Sequence, residues 1–260
     1  NVQKASPLFP GHRQPILPSE EVGFYDLADP DVLRRQAEQA RTGGLDGFVV
    51  YHYWFDGRTL LDTPIRNWLA DPTIDLPIAL CWANEPWTRR WDGLDGDVLI
   101  KQTYSPGWEG RFWDDVVPYV RDPRYIRVGG APLLLVYRLG QLPDPTGAID
   151  YWRKRAADEG FAALHVCAVA PAREQRELSE EVLASVDSMV AFPPGSGMHI
   201  DSVRAMIPEL SPEFDGDVML LHGAVPPLTT RSAAGPTVFS CVMPGWDNTA
   251  RRGEHAFVFH

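Results

Sequence analysis

The chain predicts an α/β fold of the (β/α)8 barrel type, and three observations carry that prediction. Apolar, strand-like runs alternate with amphipathic helical stretches along its 260 residues, as a parallel sheet covered on its outer face requires. No Gly-x-Gly-x-x-Gly turn follows an early strand and no Walker-type loop occurs, so the signals of a doubly wound nucleotide fold are missing. Polar and aromatic residues collect instead just after several strands: His52-Tyr53-Trp54, Asn84-Glu85, Tyr137-Arg138, Pro193-Pro194 and Trp246-Asp247-Asn248. One contribution per strand exit is the pattern of a barrel's catalytic face. Seven strands can be traced, so a barrel built from this chain lacks one, most simply the first.

The elements follow from local chemistry. Asp29-Pro30 reads as an N-cap followed by a proline in the first helical turn, with Leu33, Ala37 and Ala40 as the apolar stripe and Gly43-Gly44 as the stop. A strand follows from Gly47 to Trp54, then a short helix from Pro64 to Ala70 and a strand from Pro77 to Ala83. Phe112, Val116 and Val120 at four-residue spacing predict a helix over 108–120. The apolar run from Pro132 to Arg138 predicts a strand ending in polar groups, and a helix from Ile149 to Glu159 precedes a strand from Leu164 to Ala170. Glu174 to Ala184 reads as helix, and Ser188–Phe192, Val238–Met243 and Ala256–Phe259 as the remaining strands. Between 195 and 236 the chain is rich in loop residues, with one short helix expected near Ser202–Ile207. It reads as an insertion on the rim of a single domain spanning 1–260.

Bulk composition narrows the function. A net charge of -11 and an isoelectric point near 5.0 disfavour nucleic acid or an anionic membrane as partner. No apolar run approaches the length of a membrane span. Cys81, Cys167 and Cys241 each lie in an apolar run, without the spacing of a disulfide framework or a zinc site, so reduced thiols and a cytoplasmic address are expected. No metal site and no cofactor are predicted. Asp95-Gly96-Asp97 matches the Asp-x-Asp of metal-dependent sugar-nucleotide transferases, but acidic loops produce that match by chance and no nucleotide fold accompanies it.

The densest information lies in Leu80-Cys81-Trp82-Ala83-Asn84-Glu85-Pro86-Trp87-Thr88-Arg89-Arg90-Trp91-Asp92-Gly93. A buried strand ends in a carboxylate set among tryptophans, an amide and arginines. A charged carboxylate beside so much apolar surface needs a partner or a use. Flat rings that stack on the apolar face of a pyranose, beside fixed donors and acceptors for its hydroxyls, are what a saccharide cleft requires. An Arg–Glu pair capping a strand, with the tryptophans as core, is the structural alternative.

Together with His52-Tyr53-Trp54-Phe55, Asp122-Pro123-Arg124-Tyr125-Ile126 and Pro244-Gly245-Trp246-Asp247-Asn248-Thr249, this block resembles the WbsX family. Those bacterial proteins carry a glycoside hydrolase family 99-like domain and are often called glycosyltransferases of surface-polysaccharide synthesis. The likeness runs from about Pro7 to His260. It implies a (β/α)8 domain shortened by its first strand and last helix, and chemistry that retains anomeric configuration. In that chemistry one carboxylate deprotonates the substrate's own 2-hydroxyl to give a 1,2-anhydro sugar, and a second protonates the leaving oxygen. Glu85 resembles the first. The resemblance puts the second three residues later, where this chain has Thr88. Ala191 departs too, since relatives often carry glutamate there.

Candidate catalytic residues are therefore Glu85, with Asp247 or Asp92 as its partner; a helix cap and an exposed turn are their respective structural alternatives. Candidate substrate-binding residues are His52, Tyr53, Trp54, Trp82, Asn84, Trp87, Arg89, Arg90, Trp91, Tyr137, Arg138, Trp246 and Asn248. Of His52 and Tyr53, consecutive on a strand, one must face the barrel axis. Of the four indoles Trp82, Trp87, Trp91 and Trp246, half are expected in the core. Three functions compete. The leading one is a retaining carbohydrate-active enzyme acting on an oligosaccharide or polysaccharide in O-antigen or capsule metabolism, alongside other glycosyltransferase domains of a longer chain. The others are a nucleotide-sugar-dependent glycosyltransferase of lipopolysaccharide synthesis, and a non-catalytic glycan-binding module, which Thr88 and Ala191 motivate.

Overall fold

The computed structural model describes residues 2–89, 94–170, 178–192, 199–207, 209–222, 229–231 and 235–259. Its main sheet holds six parallel strands whose spatial order follows the chain: β1 (Phe48–Phe55), β3 (Ile78–Trp82), β7 (Ala131–Val136), β8 (His165–Ala170), β9 (Ser188–Ala191) and β13 (Thr237–Phe239). Between the first five lie α2 (Thr63–Ala70), α3 (Trp108–Arg121), α4 (Pro145–Asp158) and α5 (Glu180–Ser185). α1 (Pro30–Thr42) precedes β1 and begins where the sequence places it, with the Asp29 carboxylate accepting the Asp31 N–H at 2.9 Å. Unbroken succession of neighbours, without reversal of strand order, separates this sheet from a doubly wound one.

A closed ring is not formed among the described residues. Short antiparallel strands cap the two edges instead: β2 (Arg58–Leu60) pairs with β1, and β12 (Thr229–Arg231) with β13, while β6 (Arg127–Val128) forms a short hairpin with β7. The segment expected as the last barrel strand, β15 (Phe257–Phe259), is in a second sheet. There it pairs in parallel with β11 (Asp217–His222) and antiparallel with β14 (Trp246–Asp247), while β10 (His199–Ser202) covers the far side of β11. The approach is close at Gly216, where a Cβ would fall 1.9 Å from the Ala256 carbonyl oxygen. The stretch expected to be loop thus holds strands, and the short helix within it is a single 3-10 turn at Arg204–Met206. Of the helix predicted over Glu174–Ala184 the structure holds α5, which starts only at Glu180 behind the Ser179 cap; positions 174–177 lie outside the described residues.

The core lies between the parallel sheet and the helices. All five residues of β3 are buried, the pattern expected of a central strand covered on both faces. Trp54, Trp82, Phe112, Trp113 and Trp152 are almost wholly excluded from solvent. Trp82 stacks on Phe112 at 4.2 Å between centroids and donates its indole N–H to the Trp54 carbonyl at 3.0 Å. At the opposite end of the strands Arg124 donates to the Asp122 carboxylate and to the carbonyls of Trp68, Asp71 and Ile74, all at 2.8–3.0 Å, with its guanidinium 4.1 Å from the Trp68 ring centre. The Tyr125 hydroxyl accepts Leu80 N–H at 2.9 Å and donates to Leu133 O at 2.8 Å. The Asp-Pro-Arg-Tyr motif is therefore a clamp that satisfies buried backbone groups.

Candidate functional site

Pleating sends alternate residues of β1 to opposite faces. His52 and Trp54 point toward the helices, while Val49, Tyr51 and Tyr53 point away from them; Val49 and Tyr51 are exposed. Parallel register continues this face across the sheet, where its strand residues Cys81, Leu135 and Cys167 are buried. Tyr51 lies beside Cys81, Cys81 beside Leu135, and Leu135 beside Cys167. The small side chains of Cys81 and Ala83 let larger rings meet over β3. Tyr51 contacts Tyr137, two strands away, edge-on at 5.7 Å.

A continuous band of rings results. Trp87 meets Phe55 and Tyr53 at 5.6 and 5.2 Å, Tyr53 stacks on Tyr51 at 6.2 Å, and Tyr137 meets Phe192 at 5.5 Å. Trp87 is carried by β4 (Trp87–Arg89), which pairs with β5 (Leu94–Ile100) as a hairpin rising from the exit of β3. The segment that leads from β5 into α3 is tied down at the β1–β2 turn. There Asp56 accepts the Arg111 guanidinium at 2.7 Å and the Ser105 hydroxyl and N–H at 2.9 and 3.1 Å. Burial raises the Asp56 carboxyl, but Arg111 and Ser105 outweigh that and hold it below its ordinary value.

Glu85 stands at the exit of β3, its side chain 35% exposed, and its Oε2 accepts from Arg138 Nε at 3.0 Å. The Arg138 guanidinium lies 4.5 Å from the Tyr137 ring centre. Burial first, then the neighbouring Cys81 thiol and Glu85 carboxylate, pushes the Tyr51 and Tyr53 hydroxyls above their ordinary range. Both remain neutral O–H groups at neutral pH, able to donate to sugar hydroxyls. The arrangement is one accessible carboxylate with a cation at its side, beside rings and phenols on an open surface.

The structure brings together only part of the predicted set. Glu85, Tyr53, Trp87, Tyr137 and Arg138 share the open face. His52 does not: it is 1% exposed, and its Nε2 meets the Asp115 carboxylate of α3 at 2.7 Å. Trp54 and Trp82 are core for the same reason, since the helices cover that side of the strands, and buried indoles have no face for a saccharide. Asn84 is fully buried and bonds to the Arg138 backbone. Asp247 belongs to the second sheet, with its carboxylate bound by Gln14 Nε2 at 2.6 Å, His12 Nε2 at 2.9 Å and Thr249 N–H at 2.8 Å. Burial raises the Asp247 carboxyl, and the bonds from Thr249, His12 and Gln14 overcome that and hold it below its usual range. Asn248 accepts the Phe257 N–H at 2.7 Å, another structural bond. Trp246 is 46% exposed on β14, off the main sheet. Arg89 is placed by its backbone in β4; Arg90, Trp91 and Asp92 lie outside the described residues.

Three rings of the band were not among the sequence candidates: Phe55, which is buried against Trp87, Tyr51 and Phe192. Tyr51 is two positions before Tyr53 and had a legible signal in that spacing. Phe192 joins the band through Tyr137, which only the strand register reveals.

The family model described as Glycosyltransferase WbsX matches residues 1–260. The chain belongs to that family. Among curated relatives, the Uncharacterized protein WxcX of two strains of Xanthomonas campestris pv. campestris is 43% identical over 259 residues, which is 100% of this chain and 36% of the relative. The chain thus spans about a third of the length of those relatives. Among solved structures, a glycoside hydrolase-like protein aligns with a TM-score of 0.45 at 15% identity over 68% of this chain and 53% of its own. A glycoside hydrolase family 99 endo-alpha-mannosidase from Bacteroides thetaiotaomicron aligns with a TM-score of 0.45 at 12% identity over 75% and 56%. No helix among the described residues is long and apolar enough to cross a membrane.

Proposed function

We propose that this domain breaks or transfers glycosidic bonds with retention of configuration, with Glu85 as the proton-accepting carboxylate, in the assembly or remodelling of a bacterial surface polysaccharide. One observation carries the reading. Glu85 is accessible at a strand exit, paired with Arg138, on the same face as a band of aromatic rings. In the reaction Glu85 takes the proton of the sugar 2-hydroxyl as that oxygen attacks the anomeric carbon. The bond to the leaving oxygen breaks, and that oxygen is protonated. Water or an acceptor hydroxyl then opens the 1,2-anhydro ring from the opposite face, so configuration is retained through two inversions. Asp92 is the candidate proton donor, because Asp247 is committed to its own sheet. Trp87, Tyr53 and Tyr137 stack on or hydrogen-bond the sugar, with Arg89, Arg90 and Trp91 as further candidates.

The three free thiols, Cys81, Cys167 and Cys241, support a reducing, cytoplasmic site of action. The family's name favours a transfer reaction, for which a nucleotide sugar is the second donor to consider. Saturable binding of a sugar nucleotide in calorimetry would support that donor over a glycan.

The test is a screen of mannose-, rhamnose- and hexosamine-containing oligosaccharides against the full-length protein, with product anomers read by NMR. The expected result is a retained anomer, and its loss in Glu85→Gln. Full activity of Glu85→Gln overturns the assignment.

A further inference from the structure

Asn84 lies between the core strand and the carboxylate, and it is 0% exposed. Its side-chain amide does the work of an additional strand residue. Oδ1 accepts the Arg138 N–H at 2.8 Å, and Nδ2 donates to the Arg138 carbonyl at 2.9 Å. These bonds extend the pairing of β3 with β7 beyond the Tyr137 N–H to Trp82 carbonyl bond at 3.0 Å. Both backbone polar groups of Arg138 are thereby held by one amide. A contact from Nδ2 to the Tyr104 hydroxyl at 3.4 Å brings in the segment between β5 and α3, so both amide hydrogens of Asn84 have acceptors.

Arg138 then has a fixed root for its side chain. The guanidinium lies over Tyr137 and donates from Nε to Glu85, the residue that follows Asn84 in the chain. The circuit closes on itself: the amide at position 84 sets the arginine that sets the carboxylate at position 85. A flexible carboxylate serves as a base only when it is held to within a fraction of an ångström of its working place.

We propose that Asn84 and Arg138 are positioning residues for Glu85, acting in series, with Asn84 too deep to meet a sugar. The proposal rests on the reading of Glu85 as the catalytic carboxylate, and the experiment separates the two. It uses the full-length protein and the member of the mannose, rhamnose and hexosamine oligosaccharide panel that it turns over. Arg138→Ala is expected to lower kcat by about 100-fold with KM changed by less than about threefold. Guanidinium chloride at tens of millimolar is expected to recover about tenfold of that loss by refilling the cation's place. Asn84→Ala is expected to lose a similar factor, and the double variant to be no slower than Arg138→Ala, because both losses pass through one contact.

Additive losses, an unchanged kcat in either single variant, or no recovery with guanidinium each overturn the proposal. If Asn84→Ala does not fold, the guanidinium response of Arg138→Ala and partial retention of rate by Arg138→Lys decide it. Full activity in Glu85→Gln sinks the underlying functional reading. Loss in Glu85→Gln with none in the other two sinks only the positioning role.

Discussion

Two faces of one strand, β1, carry opposite burdens. His52 and Trp54 face the helices, where a buried imidazole meets Asp115 and an indole packs on Trp82 and Phe112. Tyr51 and Tyr53, interleaved with them, face outward to a carboxylate, an arginine and further rings. The side chains are chemically alike, and exposure rather than residue type separates those that support the fold from those a ligand could reach. A ring buried on both sides stabilises the fold, whereas one with a free face can stack on a ligand. The same contrast divides the two best carboxylate candidates. Asp247 is surrounded by donors from Gln14, His12 and Thr249, while Glu85 keeps a third of its side chain in solvent.

That comparison can be broken at four points, in descending order of expected effect. Glu85→Gln on the open face should lower turnover by about 10²–10⁴-fold, the usual range for a proton-transfer group, while the thermal midpoint stays within a few degrees of wild type. Calorimetry and NMR rate measurements on one preparation check both halves. Trp82→Ala on the helix side should do the converse. Chemical denaturation should show a loss of about 3–5 kcal/mol for an emptied indole site, and a variant that matched wild-type stability would remove Trp82 from the core.

Asp247→Ala should cost about 1.5–3 kcal/mol at neutral pH, since hydrogen bonds to a half-buried carboxylate are lost. The sign with pH follows from its lowered folded-state value. That contribution is complete above the ordinary carboxylate range and disappears as pH falls through the depressed value. Denaturation curves of wild type and variant should therefore converge below about pH 4; a constant gap would contradict the assignment. The smallest effect is expected at Tyr53→Phe. Removing one half-buried hydroxyl should change stability by less than about 1 kcal/mol. It should still weaken binding of the turned-over oligosaccharide several-fold in titration calorimetry, and unchanged affinity would take Tyr53 out of the site.

Much of the architecture was legible in advance. The helix starting at Asp29-Pro30, the apolar run ending at Trp82 and the strand expected over Pro132–Arg138, observed at Ala131–Val136, stand close to where capping, periodicity and composition put them. So does the carboxylate at the exit of the second parallel strand. The tryptophan-rich block misled because density of rings was visible while their direction was not. Trp82 is covered by Phe112 and Trp152, from helices 30 and 70 residues further on. Asp247 read as a partner for Glu85 because its own partner, His12, lies 235 positions away. Nothing local to Pro244–Thr249 reveals that pairing.

What the chain's order of residues determined by itself was the set of elements, the alternation that gives each strand two unlike faces, and the presence of one carboxylate among rings. These depend on interactions within a few residues: caps, turns and period-two or period-four spacing. What only the tertiary structure decided was which face the helices cover, that β15 leaves the parallel sheet for β11, and that Asn84 serves Arg138 rather than a ligand. Those outcomes depend on contacts between segments far apart in the chain, where burial and hydrogen-bond satisfaction are settled jointly rather than residue by residue.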